Sequence, residues 1–467
     1  MKYVQINAYS GGWAENIVFK KHKELIANGN ESWVFWARGD HEQDEHMQRI
    51  ASLPEVCLDG GLTRLDGRPG FHSKGITRRL LSKLDKIDPD IVHLHVLTGY
   101  YINVEMLFEW LARHRCKVIW TLHDCWDFTG HCTHFTYVKC DQWKNGCAFA
   151  ASCPQKREYP ETIAGDAAVQ WSYEHKRKLF TMLPPERVQL ITPSQWLADL
   201  VKQSYLAKYD VEVVHNTINT DIFKPTPSDF RERYGLGNRF VVLGVASKWS
   251  ERKGLKDFVR LANDLDSERF AIVLVGLSEK QIKQIKHEAE NIVALPRTES
   301  QEELAKAYTA GDVLLNPSAE ETFGMNVAEA EACGADAVVV EGSACAEVAD
   351  PAKTVTIPMD LSGLEVTIVK LARGGRMILM PKTQNGLQLA AIYSAVDVLF
   401  NPTVEDNYPT VNLEAEACGT SVVTYDTGGC RETVARYPLS SYVVDGYEPA
   451  LRVLFLLMTG TVNYGQC

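Results

Sequence analysis

The sequence predicts an α/β chain of two doubly wound parallel-sheet domains, the second carrying a partly duplicated segment. Three observations predict it. Short apolar runs alternate with amphipathic stretches over most of the chain, the pattern of a mostly parallel sheet covered by helices on both faces. The alternation pauses once, after Asp221-Ile222-Phe223-Lys224 at Pro225-Thr226-Pro227, as an interdomain linker does. Residues 296–349 then recur without a gap as residues 381–434, at a constant offset of 85 (381 less 296).

The bulk properties fit this class. A chain of 467 residues is long enough for two or three cores. With 45% hydrophobic and 23% charged residues it has ordinary globular composition. A net charge of −11 argues against a broad nucleic-acid surface, though it leaves room for a local basic groove. No run of 18 apolar residues predicts a membrane span. The opening MKYVQINAYSGGW reads as a β-strand entering a glycine loop rather than a signal peptide. A cytosolic setting is expected, with the 12 cysteines mostly reduced or metal-bound.

In the first half, strands are expected at Tyr3–Ala8, Ser32–Ala37, Ile91–His95, Val118–Leu122, Val188–Thr192 and Val211–His215. Helices are expected at Asn16–Asn28 and Val104–Arg113. Cys125–Pro160, rich in Cys, His and aromatic residues, breaks the rhythm and should be mostly loop. A second series runs through Phe240–Ala246, Phe270–Gly276, Ile292–Leu295, Val313–Asn316 and Ala337–Val340. The repeat adds Met377–Met380, Val398–Asn401 and Val422–Tyr425. The expected domains are residues 1–223 with an insert at 125–160, residues 235–375, and residues 376–467 as the duplicated segment with a tail. Two facing doubly wound domains make a cleft, with ligands beyond the carboxyl ends of the strands.

Four motifs fall at those ends. Ser10-Gly11-Gly12 follows the first strand, and its glycines permit close backbone approach to an anion or substrate. Ser247-Lys248-Trp249-Ser250-Glu251-Arg252-Lys253-Gly254 places three cations after the first strand of the second series, which suits a diphosphate. In Glu321-Thr-Phe-Gly-Met-Asn-Val-Ala-Glu329 seven residues separate two carboxylates. With Glu321 in a loop and a helix starting near Met325, both face the cleft and can accept hydrogen bonds from sugar hydroxyls. Its counterpart in the second copy is Asp406-Asn-Tyr-Pro-Thr-Val-Asn-Leu-Glu414. Thr121-Leu122-His123-Asp124 ends a strong strand, so His123 is placed to meet a substrate hydroxyl or phosphate.

Cys132, Cys140, Cys147 and Cys153 offer four thiolates, enough for a tetrahedral structural zinc. Their spacings of 8, 7 and 6 lack the Cys-x-x-Cys pairs of common zinc sites. Reduced packing cysteines are the favoured reading, with zinc the alternative. No nucleophile motif supports a catalytic thiol.

Taken together these residues resemble the GT-B glycosyltransferases, in particular the retaining bacterial enzymes that build capsule, exopolysaccharide and lipopolysaccharide. IVHLHVLTGYYINVEMLFEWL, VIWTLHDCWDFTGHCTHF, KCDQWKNGC and TPSQWLADLVKQSYL resemble a subgroup associated with colanic-acid-type polysaccharide synthesis. The resemblance covers nearly the whole chain to about residue 445 and implies transfer of a hexosyl unit, with retention, from a UDP- or GDP-sugar to a glycan or lipid-linked acceptor. It implies no required cofactor or metal, no nucleic-acid partner, and a cytoplasmic protein with at most peripheral association at the inner face of the membrane. Gly11 and Gly12 match the loop that approaches donor phosphate and acceptor, and His123 the histidine that contacts the donor sugar. Lys253 matches the lysine on the diphosphate, with Arg252, or else Lys248, as its partner. Glu321, with the following loop through Phe323 and Gly324, matches the donor-sugar group, and Glu329 the acid that holds the ribose. Asp406 and Glu414 are the alternative pair from the second copy.

The chain departs from the family pattern at Asn216-Thr-Ile-Asn219 and Gly334-Ala-Asp-Ala337, whereas the second copy keeps Gly419-Thr-Ser-Val422. Removing one repeat leaves 382 residues (467 less 85), an ordinary length for the family. The first copy follows the cationic segment at the expected spacing, so it is expected to occupy the site. The rival expectation is a catalytically impaired binding or scaffold protein that grips a glycan precursor.

Overall fold

The computed structural model describes residues 1–12, 15–289, 291–372, 389–390, 393–394, 396, 398–403, 408–434 and 441–459. The chain divides into two compact units, Met1–Leu361 and Ser362–Cys467. The first unit contains two parallel sheets.

The first sheet comprises β1 (Lys2–Tyr9), β2 (Glu31–Arg38), β3 (Met47–Arg49), β4 (Ile91–Leu94), β5 (Lys117–Thr121), β6 (Val188–Thr192) and β7 (Asp210–Val213), in the order β3-β2-β1-β4-β5-β6-β7. The second comprises β8 (Phe240–Val245), β9 (Phe270–Val275), β10 (Ile292–Leu295), β11 (Val313–Asn316), β12 (Asp336–Val340) and β13 (Thr354–Ile357), in the order β10-β9-β8-β11-β12-β13. The apolar runs make this possible. Phe270–Val275 is buried at every position, as a central parallel strand covered on both faces must be. The helices supply the cover. Val104–Arg113 starts where the Asn103 side chain accepts the Met106 N–H at 2.9 Å and buries Val104, Leu107, Phe108, Trp110 and Leu111. Each such large apolar side chain contributes roughly 1.5–3 kcal/mol.

Both sheets reverse their winding once, between β1 and β4 in the first and between β8 and β11 in the second. Crevices open at such switch points, at the carboxyl ends of the strands. The glycine loop leaves β1, the cationic segment leaves β8 and the acidic loop leaves β11. Sequence position and topology therefore agree on where a ligand would sit.

Strand boundaries match the sequence expectation within two residues wherever they are described, and Val104–Arg113 matches its helix. Asn16–Asn28 forms a π-helical turn at Glu15–Phe19 followed by an α-helix at Lys20–Ala27. Cys125–Pro160 forms loops with three short 3₁₀ turns. Three strands were not expected: Met47–Arg49, Thr354–Ile357 and Tyr442–Val444. All three are short edge strands, and β3 (Met-Gln-Arg) carries no apolar run.

The second unit contains a parallel sheet of β14 (Val398–Asn401), β15 (Ser421–Tyr425) and β16 (Tyr442–Val444), in that order. The duplication is structural as well as sequential. At the offset of 85, β14 answers β11, the helix Thr410–Ala417 answers Met325–Ala332, and β15 answers β12. The contacts recur too. The Glu331 carboxylate accepts the Asp350 N–H at 3.0 Å and the Thr354 hydroxyl at the start of β13; Glu416 accepts the Ser441 hydroxyl just before β16. The expected strand Met377–Met380 lies outside the described residues.

Candidate active site

The cationic segment after β8 turns through a 3₁₀ helix, Glu251–Lys253, which ends at Gly254 with φ +72°. A Cβ there would stand 2.6 Å from Pro317 Cγ, so both the backbone conformation and the lack of space require glycine. The turn directs Lys253 at Glu321, and the two form an ion pair with side chains only 20% and 12% exposed. Arg252 Nη1 donates to the Glu320 carbonyl, and the Arg252 carbonyl accepts the Ala319 N–H at 3.0 Å. Lys248 stands exposed on the same segment.

The acidic loop after β11 is shaped from within. Asn316 Oδ1 accepts the Ser318 N–H at 3.0 Å, and its Nδ2 donates to Asn326 Oδ1 at 3.1 Å, tying the end of β11 to the helix Met325–Ala332. Gly324 lies just before that helix with φ +93°, and a Cβ would stand 2.6 Å from Cys345 Sγ. Phe323 is buried, with its ring 5.8 Å from that of His215. Burial alone would raise the Glu321 carboxyl, but Lys253 and Arg252, with hydrogen bonds from Lys253 and Ser318, hold it down at about 2. Glu329, in the second turn of the helix, accepts the Tyr308 hydroxyl at 2.9 Å, and burial pushes its carboxyl up to about 7. The two acids are thus set apart by environment: Glu321 is an anion at neutral pH, while Glu329 is poised between its two forms.

The first sheet meets this loop directly. Thr322 Oγ1 donates to the His123 carbonyl at 3.0 Å, and Ser194 Oγ donates to the Thr322 carbonyl at 2.8 Å. His123 Nε2 lies 3.2 Å from His95 Nδ1, and burial lowers His123 to about 3, so the ring is neutral at physiological pH. The Cys-rich insert touches the loop as well. The fully buried Glu320 carboxylate accepts three backbone N–H bonds, from Phe135 at 3.2 Å, Thr136 at 2.7 Å and Tyr137 at 3.2 Å. Next to them His134 is lowered to about 3, by burial first and then by the positive charge of Arg252, with Lys253 adding a little.

Residues predicted from sequence are distributed as follows. Arg252, Lys253, Glu321, Phe323 and Gly324 share one region, and His123 reaches it through Thr322. Glu329 lies on the helix that the acidic loop enters. Gly11 and Gly12 lie on the exposed loop after β1, with open space where a Cβ would stand. Glu414 sits in the second unit, where it is bonded to Tyr393 much as Glu329 is to Tyr308. Asp406 lies outside the described residues.

Sequence reasoning missed Glu320, His134, His95 and Tyr308. Tyr308 was within reach, because Tyr308 and Tyr393 are identical at the offset of 85. Nothing in the pattern separates Glu320 from Glu321; only the fold turns one inward to the insert and the other to Lys253.

The expected alternative of a zinc at Cys132, Cys140, Cys147 and Cys153 gains no support. The four thiols line one small pocket with His131, Trp143 and Gln155. Among the described residues no group of three or more Cys, His, Asp or Glu is arranged to hold a metal ion. All described cysteines are free thiols; burial raises Cys132 and Cys153 and pushes Cys147 up to about 12, which favours the protonated forms.

Two parallel sheets, with a cationic turn and an acidic loop at the switch point of the second, have the GT-B fold. Sequence families agree with this. Residues 11–222 match Glycosyltransferase Family 4, residues 238–374 match Glycosyl transferases group 1, and residues 367–450 match a second model of that description. A colanic acid biosynthesis glycosyl transferase of Escherichia coli, WcaC, is 30% identical over 218 residues, 44% of this chain and 52% of that protein. The alpha-galactosylglucosyldiacylglycerol synthase of Streptococcus pneumoniae is 27% identical over 189 residues, 38% of this chain and 50% of that protein. The chain thus spans about half the length of the curated relatives it matches. Among solved structures, sucrose-phosphate synthase from Thermosynechococcus elongatus has the same fold, with a TM-score of 0.56, 15% identity, and coverage of 80% of this chain and 90% of that one. Anabaena HepE in complex with UDP-glucose gives a TM-score of 0.52 at 15% identity, covering 80% and 91%. The solved structures share the GT-B fold, and the family models match glycosyltransferase families over separate parts of the chain.

Proposed function

We propose that the chain transfers a hexosyl unit from a UDP- or GDP-sugar, with retention, to a polysaccharide or lipid-linked acceptor on the cytoplasmic side of the membrane. The observation that carries this reading is the Lys253–Glu321 ion pair at the switch point of the second sheet. Lys253 and Glu321 satisfy each other's charge. A donor separates their duties: Lys253 and Arg252 take the diphosphate, and the released Glu321 accepts sugar hydroxyls together with the Phe323–Gly324 loop. Glu329 meets the ribose, and neutral His123 faces the sugar without repelling or attracting charge. As the bond to the nucleotide breaks, negative charge grows on the diphosphate, and the two cations stabilise it in a partly buried setting where they act more strongly than in water. The relatives support the substrate class: WcaC carries a polysaccharide-synthesis name and the pneumococcal synthase a glycolipid name, and the HepE structure holds UDP-glucose.

In this reading copy one supplies the donor half of the site. It lies in the same compact unit as Lys253, in contact with it. The test is incubation with UDP- and GDP-sugars and a panel of glycan and lipid-linked acceptors, with thermal unfolding in parallel. Transfer from one nucleotide series, and a rise in unfolding temperature with its nucleoside diphosphate, is expected. Absence of both overturns the reading.

A further inference from the structure

Lys253 is matched to Glu321, but Arg38, on the first sheet, has no carboxylate partner among the described residues. Arg38 is the last residue of β2, beside Tyr9 at the end of β1, with which it pairs in register. Its guanidinium lies 4.4 Å from the centre of the Tyr9 ring and 5.8 Å from that of Tyr100, and Nη2 donates to the Tyr9 hydroxyl. Its Nε is buried without a hydrogen-bond partner among the described residues. The nearby carboxylates are engaged elsewhere. Asp40 pairs with Arg49 at 3.5 Å, Glu161 with Arg64 at 2.9 Å, and Asp59 is turned inward to Ser73 and Thr63.

Three half-buried tyrosines surround this cation. Tyr100 packs edge-on to Tyr159 at 5.5 Å, and the Tyr159 hydroxyl donates to the Thr98 carbonyl. Tyr100 also holds φ +59°, a left-handed conformation that costs a non-glycine residue energy and that the surroundings must impose. The Ser10 N–H donates to the Arg38 carbonyl at 2.9 Å, so the cluster adjoins the loop of Gly11 and Gly12.

We infer that Arg38, with Tyr9, Tyr100 and Tyr159, forms an acceptor subsite for a sugar bearing an anionic oxygen group, either a phosphate or a carboxylate. This rests on the transferase reading. A planar guanidinium recognises such a group in a two-pronged way, and tyrosine faces and hydroxyls suit the apolar and polar faces of a sugar ring. Arg38 and His123 follow strands that lie three places apart in the sheet, about 14 Å at ordinary strand spacing. The anion therefore belongs to a part of the acceptor remote from the reacting hydroxyl.

The full chain, saturated with whichever of UDP and GDP raises its unfolding temperature, is titrated with glucose 1-phosphate, glucuronate and glucose. At least one anionic sugar is expected to bind about 10- to 100-fold more tightly than glucose. The phosphate and carboxylate arms tell the two sources apart. Arg38→Gln removes the preference and leaves protection by the nucleotide unchanged; Arg38→Lys, which keeps the charge but not the fork, retains part of the preference. Equal binding of all three sugars by the native chain overturns the proposal, as does a preference that survives in Arg38→Gln. If Arg38→Gln does not fold, the native preference and Arg38→Lys decide. A native chain that neither UDP nor GDP protects contradicts the transferase reading instead, and the sugar titrations without nucleotide still report on Arg38.

Discussion

Replacing Lys253 by Met is expected to lower kcat/KM for sugar transfer by about 100- to 1,000-fold, the usual effect of removing one group that stabilises developing charge. Lys253 is the cation most directly committed to the site, because its ammonium is held against Glu321 in a position that is only 20% exposed. Met fills a similar volume, so the turn at Glu251–Gly254 is preserved. Arg252 remains, which is why the loss should stop short of abolition. The same change leaves Glu321 with one cation fewer, so its carboxyl rises from about 2 toward the ordinary range. Initial rates across donor concentrations check this: the fall should appear in kcat as well as in KM. A rate within threefold of the native value contradicts the assignment of Lys253 to the diphosphate.

The largest structural effect is expected from Glu320→Ala. Three backbone N–H groups of the insert, at Phe135, Thr136 and Tyr137, lose their acceptor at a fully buried position. At about 1 kcal/mol for each unsatisfied donor the cost is about 3 kcal/mol. Thermal unfolding should shift down by several degrees. Because Glu320 is joined in sequence to Glu321 and its carbonyl is held by Arg252, the donor KM should rise too. Glu320→Gln retains a carbonyl acceptor and should recover part of both effects. An Ala variant as stable as the native chain contradicts the role given to this contact.

Much of this arrangement was legible in the sequence because parallel sheets write themselves plainly. Buried strands such as Phe270–Val275 are continuous apolar runs, and motifs that follow them fall at the carboxyl ends. Lys253, Glu321 and Gly324 could be placed for that reason. The edge strands could not, since Met47–Arg49 and Thr354–Ile357 gain stability from a single neighbour and carry little apolar signature. Contacts between distant segments were also hidden. Glu320 reaches residues 183 to 185 positions away, and His95 meets His123 only because β4 and β5 are neighbours. The duplication shows the same division. The sequence revealed two acidic motifs; the fold shows that each keeps its tyrosine, Tyr308 with Glu329 and Tyr393 with Glu414. Lys253 of the β8 turn pairs with the first copy's Glu321, whereas the corresponding Asp406 lies outside the described residues.

The proposal that the first copy supplies the donor site is tested by two variants. Glu329→Gln and Glu414→Gln make the same small change in the two copies, and each tyrosine retains a carbonyl to bond. The measurement is the donor KM for transfer, with protection by the nucleoside diphosphate followed in the same samples. Glu329→Gln is expected to raise the donor KM by about tenfold, through the loss of a carboxyl oxygen to the ribose, while Glu414→Gln stays within twofold of the native chain. The reverse pattern, with Glu414→Gln impaired and Glu329→Gln unaffected, contradicts it and assigns the donor site to the second copy.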